Sequence, residues 1–222
     1  MPRTASHLIR SMCRLLCVRS PTPFAVGDHL EVFAEIARTS REYQGHGWGC
    51  AWLDDGAWSI YHDIRPIWDD DLGKFGETTL LLAHARSAFR DEGICVANNM
   101  PFYDGEHVFI FNGELQGVRI REEGRIGAEK IFNYIKRFFK GDMLEAINRG
   151  VGVIEKRTRY IRALNFIMAS VDAIYLATLF SENPGYFQMH RKVDDGCEIL
   201  CSDSYPGEEG WQPVANRTIQ AL

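Results

Sequence analysis

Met12-Cys13-Arg14-Leu15-Leu16-Cys17-Val18 is the stretch on which the reading of this chain turns. A cysteine stands directly after a methionine and opens a short apolar run with the character of a strand. If the mature chain begins at Cys13, one residue carries a thiol, a free α-amine and a set place at a strand end. Such a residue is a nucleophile with a base on its own α-carbon. The remainder then reads as the sheet that holds this residue and the hydrogen-bond donors that face it.

The residues before it, Met-Pro-Arg-Thr-Ala-Ser-His-Leu-Ile-Arg-Ser-Met, are basic and free of acids. They lack the apolar core of a secretory signal. Translation starting at Met12, a propeptide removed to expose Cys13, and a genuine tail are the three origins open to this segment. The tail would leave Cys13 without its amine. The expected organisation is a leader, propeptide or misassigned start over 1–12 and one domain over 13–222.

The composition suits such a domain. The chain has 222 residues, 45% of them hydrophobic, with a net charge of −5 and interspersed acids and bases. That length and apolar content support one sizeable core. The acidic balance argues against nucleic acid or an anionic membrane as partner. No apolar run is long enough to span a bilayer. Six cysteines without a Cys-x-x-Cys pair read as reduced thiols of a cytoplasmic protein rather than a disulfide scaffold or zinc site.

Outward from the first strand, Pro21-Thr22-Pro23 predicts a break. Asp28 and Glu31 predict a capped helix start, and Leu30, Phe33, Ala34 and Ala37 a helix over 28–41. Trp48–Leu53 and Ala57–His62, joined by Asp54-Asp55-Gly56, read as a hairpin. Asp69-Asp70-Asp71 reads as a solvated turn. Thr78–His84 is an apolar strand ending in His84-Ala85-Arg86-Ser87, and His107–Phe111 is a strand expected to stop at Asn112-Gly113. Helices are expected over Gly127–Lys140 and from Asp142 to about Arg157. Five strand-like runs follow: Leu164–Ala169, Ala173–Phe180, Tyr186–His190, Glu198–Cys201 and a piece near Thr218. Strands, then adjacent helices, then strands indicate an α+β fold with mainly antiparallel sheets, not a doubly wound one.

Several motifs in order, from Met12 to about residue 216, resemble the class II glutamine amidotransferases of the N-terminal-nucleophile hydrolase superfamily, in particular the stand-alone type beginning Met-Cys-Arg-Leu-Leu. They are Met12-Cys13-Arg14-Leu15-Leu16, His46-Gly47-Trp48-Gly49, Leu82 to Ala88, Asn98 with Pro101-Phe102, Phe111-Asn112-Gly113-Glu114-Leu115, Gly124 with Glu129, and a late segment from Ser202 to Trp211. The resemblance implies a four-layer αββα sandwich of two mainly antiparallel sheets, with the nucleophile on the first strand. It implies Cys13 as nucleophile, with the Asn112 side chain and the Gly113 N–H as oxyanion donors. Arg86, Ser87 and Asn98 would then bind substrate. It calls for no metal and no organic cofactor.

The chemistry is coherent. A thiol has an unperturbed pKa of about 8.5 and an α-amine one of about 8, so the neutral amine can accept the thiol proton near neutral pH. An oxyanion donor is typically worth about 3 kcal/mol in the transition state. His84 reads as a structural, hydrogen-bonded histidine.

Three positions depart from the family pattern. Phe89 stands where a Thr is usual and Met100 where a His is usual. Gly127 in Ile126-Gly127-Ala128-Glu129 replaces the Asp that would hold the α-ammonium of glutamine. Losing that carboxylate should weaken free glutamine, with Glu129 or Glu114 as the candidate substitutes. The expected substrate is glutamine, a γ-glutamyl compound or another amide bearing a carboxylate. Ammonia would pass to a separate synthetase, since the length leaves no room for one within the chain, or the enzyme would simply hydrolyse. The resemblance also admits a homo-oligomer. Two rivals are a degenerate binding module and a plain cysteine hydrolase with His84 or His46 as base.

Overall fold

The computed structural model describes residues 12–88 and 92–222. In chain order the first strands are β1 (Arg14–Ala25), β2 (Trp48–Asp54), β3 (Ala57–Asp63), β4 (Glu77–Ala85), β5 (Phe102–Tyr103) and β6 (Val108–Val118). The later ones are β7 (Thr158–Ala169), β8 (Ile174–Phe180), β9 (His190–Asp194), β10 (Cys197–Cys201), β11 (Gln212–Pro213) and β12 (Thr218–Ala221). The helices are α1 (Val26–Arg38), α2 (Gly127–Lys136), α3 (Met143–Lys156) and the short α4 (Pro184–Phe187).

Among the described residues the strands form a seven-stranded sheet, β11-β9-β10-β1-β4-β2-β3, and a five-stranded sheet, β12-β8-β7-β6-β5. Every pairing is antiparallel. The alternation of a strand explains the layers. Leu16 and Val18 of β1 pack with Leu30 and Phe33 of α1 on one face of the larger sheet. Leu15 and Cys17, one residue out of phase, join the core shared with the smaller sheet. The far face of that sheet is covered by α2 and α3, with Phe109 stacked on Phe132 at 4.9 Å. The result is the αββα sandwich that the sequence motifs imply. Each fully buried large apolar side chain stabilises it by about 2 kcal/mol.

Several local expectations are corrected. The first strand does not break at its prolines: β1 runs through them to Ala25, and its register with β4 slips between Arg19 and Phe24. Pro21 and Pro23 lie inside that slip, where ladder donors are not needed. Asp28 does not cap α1, whose N-cap is Ala25, with Asp28 inside the first turn. Asp142 does cap α3, accepting from the Glu145 N–H at 3.0 Å. The run Tyr186–His190 is not a strand: Pro184–Phe187 makes one helical turn and β9 begins at His190. In the acidic run, Asp70 is no solvated turn residue. Its carboxylate, 2% exposed, takes bonds from Tyr61 Oη (2.7 Å), Trp48 Nε1 (3.2 Å) and Lys74 Nζ (2.9 Å) and pairs with Arg65 (3.0 Å).

The correction that matters most concerns Asn112-Gly113. The pair does not end a strand. It sits in the middle of β6, because β7 keeps pairing past it: Asn112 lies opposite Asn165, Gly113 opposite Leu164, and the ladder continues to Val118.

Candidate active site

Cys13 immediately precedes β1 and is half-buried. The strand start is tied down on both sides. Leu15 N–H donates to Ser202 Oγ at 3.0 Å, Ser202 N–H returns a bond to Leu15 O at 3.0 Å, and Arg14 donates to Ser202 O at 3.1 Å while lying over the Tyr186 ring. Behind it, Met12 is buried against Ala163 and Phe187. The Met12 carbonyl accepts from Gln44 Nε2 at 2.6 Å and Tyr186 Oη at 3.0 Å. Strand alternation puts Cys13 on the face of Leu15 and Cys17, between the sheets.

The sulfur is held by one backbone unit. Ser87 N–H donates to Cys13 Sγ at 3.4 Å, and Sγ–H reaches Ser87 O at 3.6 Å. Ser87 is there because β1 and β4 pair antiparallel with Arg14 opposite Ala85. Burial pushes the Cys13 thiol up to about 11, against the opposing pull of the Ser87 N–H and the Arg86 charge. With its peptide bond to Met12 intact, this thiol is therefore protonated at neutral pH.

On the facing sheet, Phe109 and Phe111 turn toward α2, so Ile110 and Asn112 turn the other way, toward the larger sheet. Asn112 is 1% exposed, and neither atom of its side-chain amide has a hydrogen-bond partner. Its cross-strand neighbour Asn165 is fully engaged: it donates to Phe187 O and accepts from Thr178 Oγ1 and Leu179 N–H. A buried unpaired amide is unfavourable by roughly 1–3 kcal/mol, so the Asn112 donor calls for an explanation beyond folding. Gly113 has no room for a side chain. A Cβ there would collide with the Ala163 carbonyl and the Phe111 ring.

These residues meet in one cavity of about 510 Å³, lined by Cys13, Arg86, Ser87, Asn112 and Gly113 among others. Five of the six residues singled out from the sequence are thus brought together. Asn98 is not: it stands outside the lining, and its side chain donates to Gly93 O at 2.9 Å, clasping the loop beyond Arg86. Arg86 is buried, and its two terminal nitrogens already donate to Gly93 O (2.8 Å) and Asn99 Oδ1 (3.2 Å). Phe89, the first departure from the family pattern, lies outside the described residues. Met100 and Gly127, the other two, both line the cavity. Nothing stands within 4 Å of where a Gly127 Cβ would be. Of the candidate substitutes for the missing carboxylate, Glu129 points elsewhere, paired with Arg125 at 2.6 Å, and Glu114 lines the cavity but pairs with Arg162 at 3.4 Å.

Among the described residues, no histidine lines the cavity. His84 is wholly buried, and burial, helped by the Arg86 charge, drives its pKa down to about 3 against the opposing pull of the Phe111 backbone. It is a buried structural histidine outside the cavity lining. His46 Nδ1 accepts from the Ala88 N–H at 2.9 Å. Sequence reasoning missed Gln44 and Tyr186, which hold the bond before Cys13. Neither carries a periodicity or motif signal that could have found them. Among the described residues, no three His, Cys, Asp or Glu side chains are grouped to hold a metal ion, and no helix is long and apolar enough to cross a membrane.

No protein-family model matches the chain, and no curated protein matches it. Solved structures do. A glutamine aminotransferase class-II domain protein from Silicibacter pomeroyi superimposes with a TM-score of 0.65 at 15% identity, covering 94% of both chains. A protein described as a predicted glutamine amidotransferase from Pseudomonas aeruginosa gives a TM-score of 0.56 at 15% identity, over 94% of this chain and 96% of its own. The glutamine phosphoribosylpyrophosphate amidotransferase of B. subtilis gives 0.61 at 13% identity, over 86% of this chain and 42% of its own. The chain therefore shares the fold of these glutamine amidotransferase structures.

Proposed function

We propose that this chain is a cysteine N-terminal-nucleophile amidohydrolase, which cleaves a carboxamide through a thioester and releases ammonia. The observation that carries the reading is Asn112: a buried, unpaired side-chain amide lining the same cavity as Cys13 and Gly113. An oxyanion is the partner such a donor lacks.

In this reading the Met12–Cys13 bond is cleaved and the Cys13 α-amine becomes the base. The amine takes the thiol proton, directly or through a water. The thiolate attacks the amide carbon, and the oxyanion is held by the Asn112 Nδ2 and Gly113 N–H donors. Collapse breaks the C–N bond, and the α-ammonium gives its proton to the departing ammonia. Water, deprotonated by the same amine, then attacks the thioester, releasing the acid and restoring the thiol. A base carried by the nucleophile itself fits a cavity lining that, among the described residues, contains no histidine. Glutamine is the substrate suggested by the sequence motifs, but Gly127 supplies no carboxylate for its ammonium. The ammonia passes to a separate acceptor or to solvent.

A second reading, a binding module with an unprocessed N-terminus, draws on the buried Met12 side chain and its doubly held carbonyl. Intact mass of the purified protein and ammonia release from a panel of carboxamides separate the two. The amidohydrolase gives a mass beginning at Cys13 and turnover that disappears in Cys13→Ala. Equal rates for Cys13→Ala and the parent on every amide would end the proposal.

A further inference from the structure

Resting on that reading, we infer that the acyl half of the substrate is an uncharged hydrocarbon chain: the cavity takes a primary alkyl carboxamide in preference to an amino-acid amide. The walls beyond Asn112 and Gly113 are Met100, Phe111, Leu115, Ile126, Ala128 and Ile131. Met100, Phe111, Ala128 and Ile131 are core residues, and Leu115 and Ile126 pack against the same core. The lining follows β6 from Phe111 to Val118, about 23 Å of strand at ~3.3 Å per residue.

Three of the charged groups around this channel are already matched. Glu114 pairs with Arg162 and accepts from Gln116 Nε2 at 2.7 Å. Glu122 pairs with Arg137 at 3.4 Å. Arg86 spends both terminal nitrogens on Gly93 and Asn99. Lys130 and Glu92 are exposed. Among the described residues the apolar stretch holds no buried unpaired carboxylate, so a substrate ammonium entering it would give up its water without a matching gain, which is unfavourable, and the exposed Glu92 offers only a solvent-screened charge. A methylene chain entering the same space gains about 0.8 kcal/mol per group, close to fourfold in affinity. At the start of α2, Gly127 leaves open space where a side chain would otherwise narrow the channel.

Two measurements on the full chain test this. Ammonia release is followed for butanamide, hexanamide, octanamide and L-glutamine. Binding of butanoate, hexanoate, octanoate and L-glutamate is followed by calorimetry, which needs no catalysis. Both affinity and kcat/KM should rise about fifteenfold with each added pair of carbons, with glutamine and glutamate the poorest of each set. Gly127→Trp, which fills the open space without touching Cys13, should weaken octanoate at least tenfold. A flat series in both measurements, or glutamine turned over better than octanamide, overturns the inference while leaving the amidohydrolase reading intact. A rising affinity series without turnover of any amide upholds the apolar channel and removes the amidohydrolase reading instead.

Discussion

Replacing Asn112 by leucine should make the protein more stable and far less active. Leucine nearly matches asparagine in shape and carries no polar atoms. Asn112 is 1% exposed with both amide atoms unpaired, so the substitution loses no hydrogen bond. It relieves the desolvation of an unsatisfied amide, worth roughly 1–3 kcal/mol. A gain of about 2 kcal/mol would raise the melting temperature by roughly 4–8 °C in a domain of this size. Activity should move the other way, since loss of one oxyanion donor lowers kcat by about 100- to 1000-fold. Asn165→Leu is the internal control. It sits directly across the ladder but uses its amide on Phe187, Thr178 and Leu179. It should be destabilised by about 3 kcal/mol, because it strands buried partners. Urea unfolding of parent and variants, with ammonia release on the best carboxamide, gives both quantities. If Asn112→Leu is destabilised as Asn165→Leu is, or keeps its activity, the assignment of Asn112 as an oxyanion donor is wrong.

Other consequences follow from buried groups. His84 has a folded pKa of about 3 against about 6.5 when unfolded. Its contribution is fully present above pH 6.5 and is lost as pH falls from there toward 3, about 2 kcal/mol by pH 5. Urea titrations at pH 7 and pH 5 should show that loss in the parent and a smaller one in His84→Phe. Asp70→Asn should cost about 2 kcal/mol by thermal unfolding, since Arg65 and Lys74 lose a carboxylate that is 2% exposed. Gly113→Ala should lower stability and turnover together, because the new methyl forces β6 away from the Ala163 carbonyl. A gain in melting temperature for that variant would contradict the close approach of the two strands.

The larger elements were legible in the sequence for ordinary reasons. The helical spacing of Leu30, Phe33, Ala34 and Ala37 reports a one-sided burial that α1 realises. Asp55-Gly56 turns the β2–β3 hairpin with positive φ at both residues, which the dipeptide advertises. Two of the local misreadings share one cause. The break at Pro21 and the stop at Asn112-Gly113 were read from local preference, and pairing with distant strands decided otherwise, whereas the strand expected at Tyr186–His190 gives way to the helical turn Pro184–Phe187. The β7 ladder carries β6 through Asn112-Gly113, although the same dipeptide is a turn signal in isolation.

What the chain by itself determined is the order of its parts: a cysteine before a buried strand, an Asn-Gly pair about a hundred residues on, and a glycine at position 127. Only the tertiary structure decided which of them share a cavity. It put Cys13, Ser87, Asn112 and Gly113 together and left Asn98 and His84 out. It also showed Arg86 already committed to its own loop. The physical reason is that alternation along a strand says which residues share a face, while register and sheet stacking, set by contacts far apart in sequence, say what that face meets.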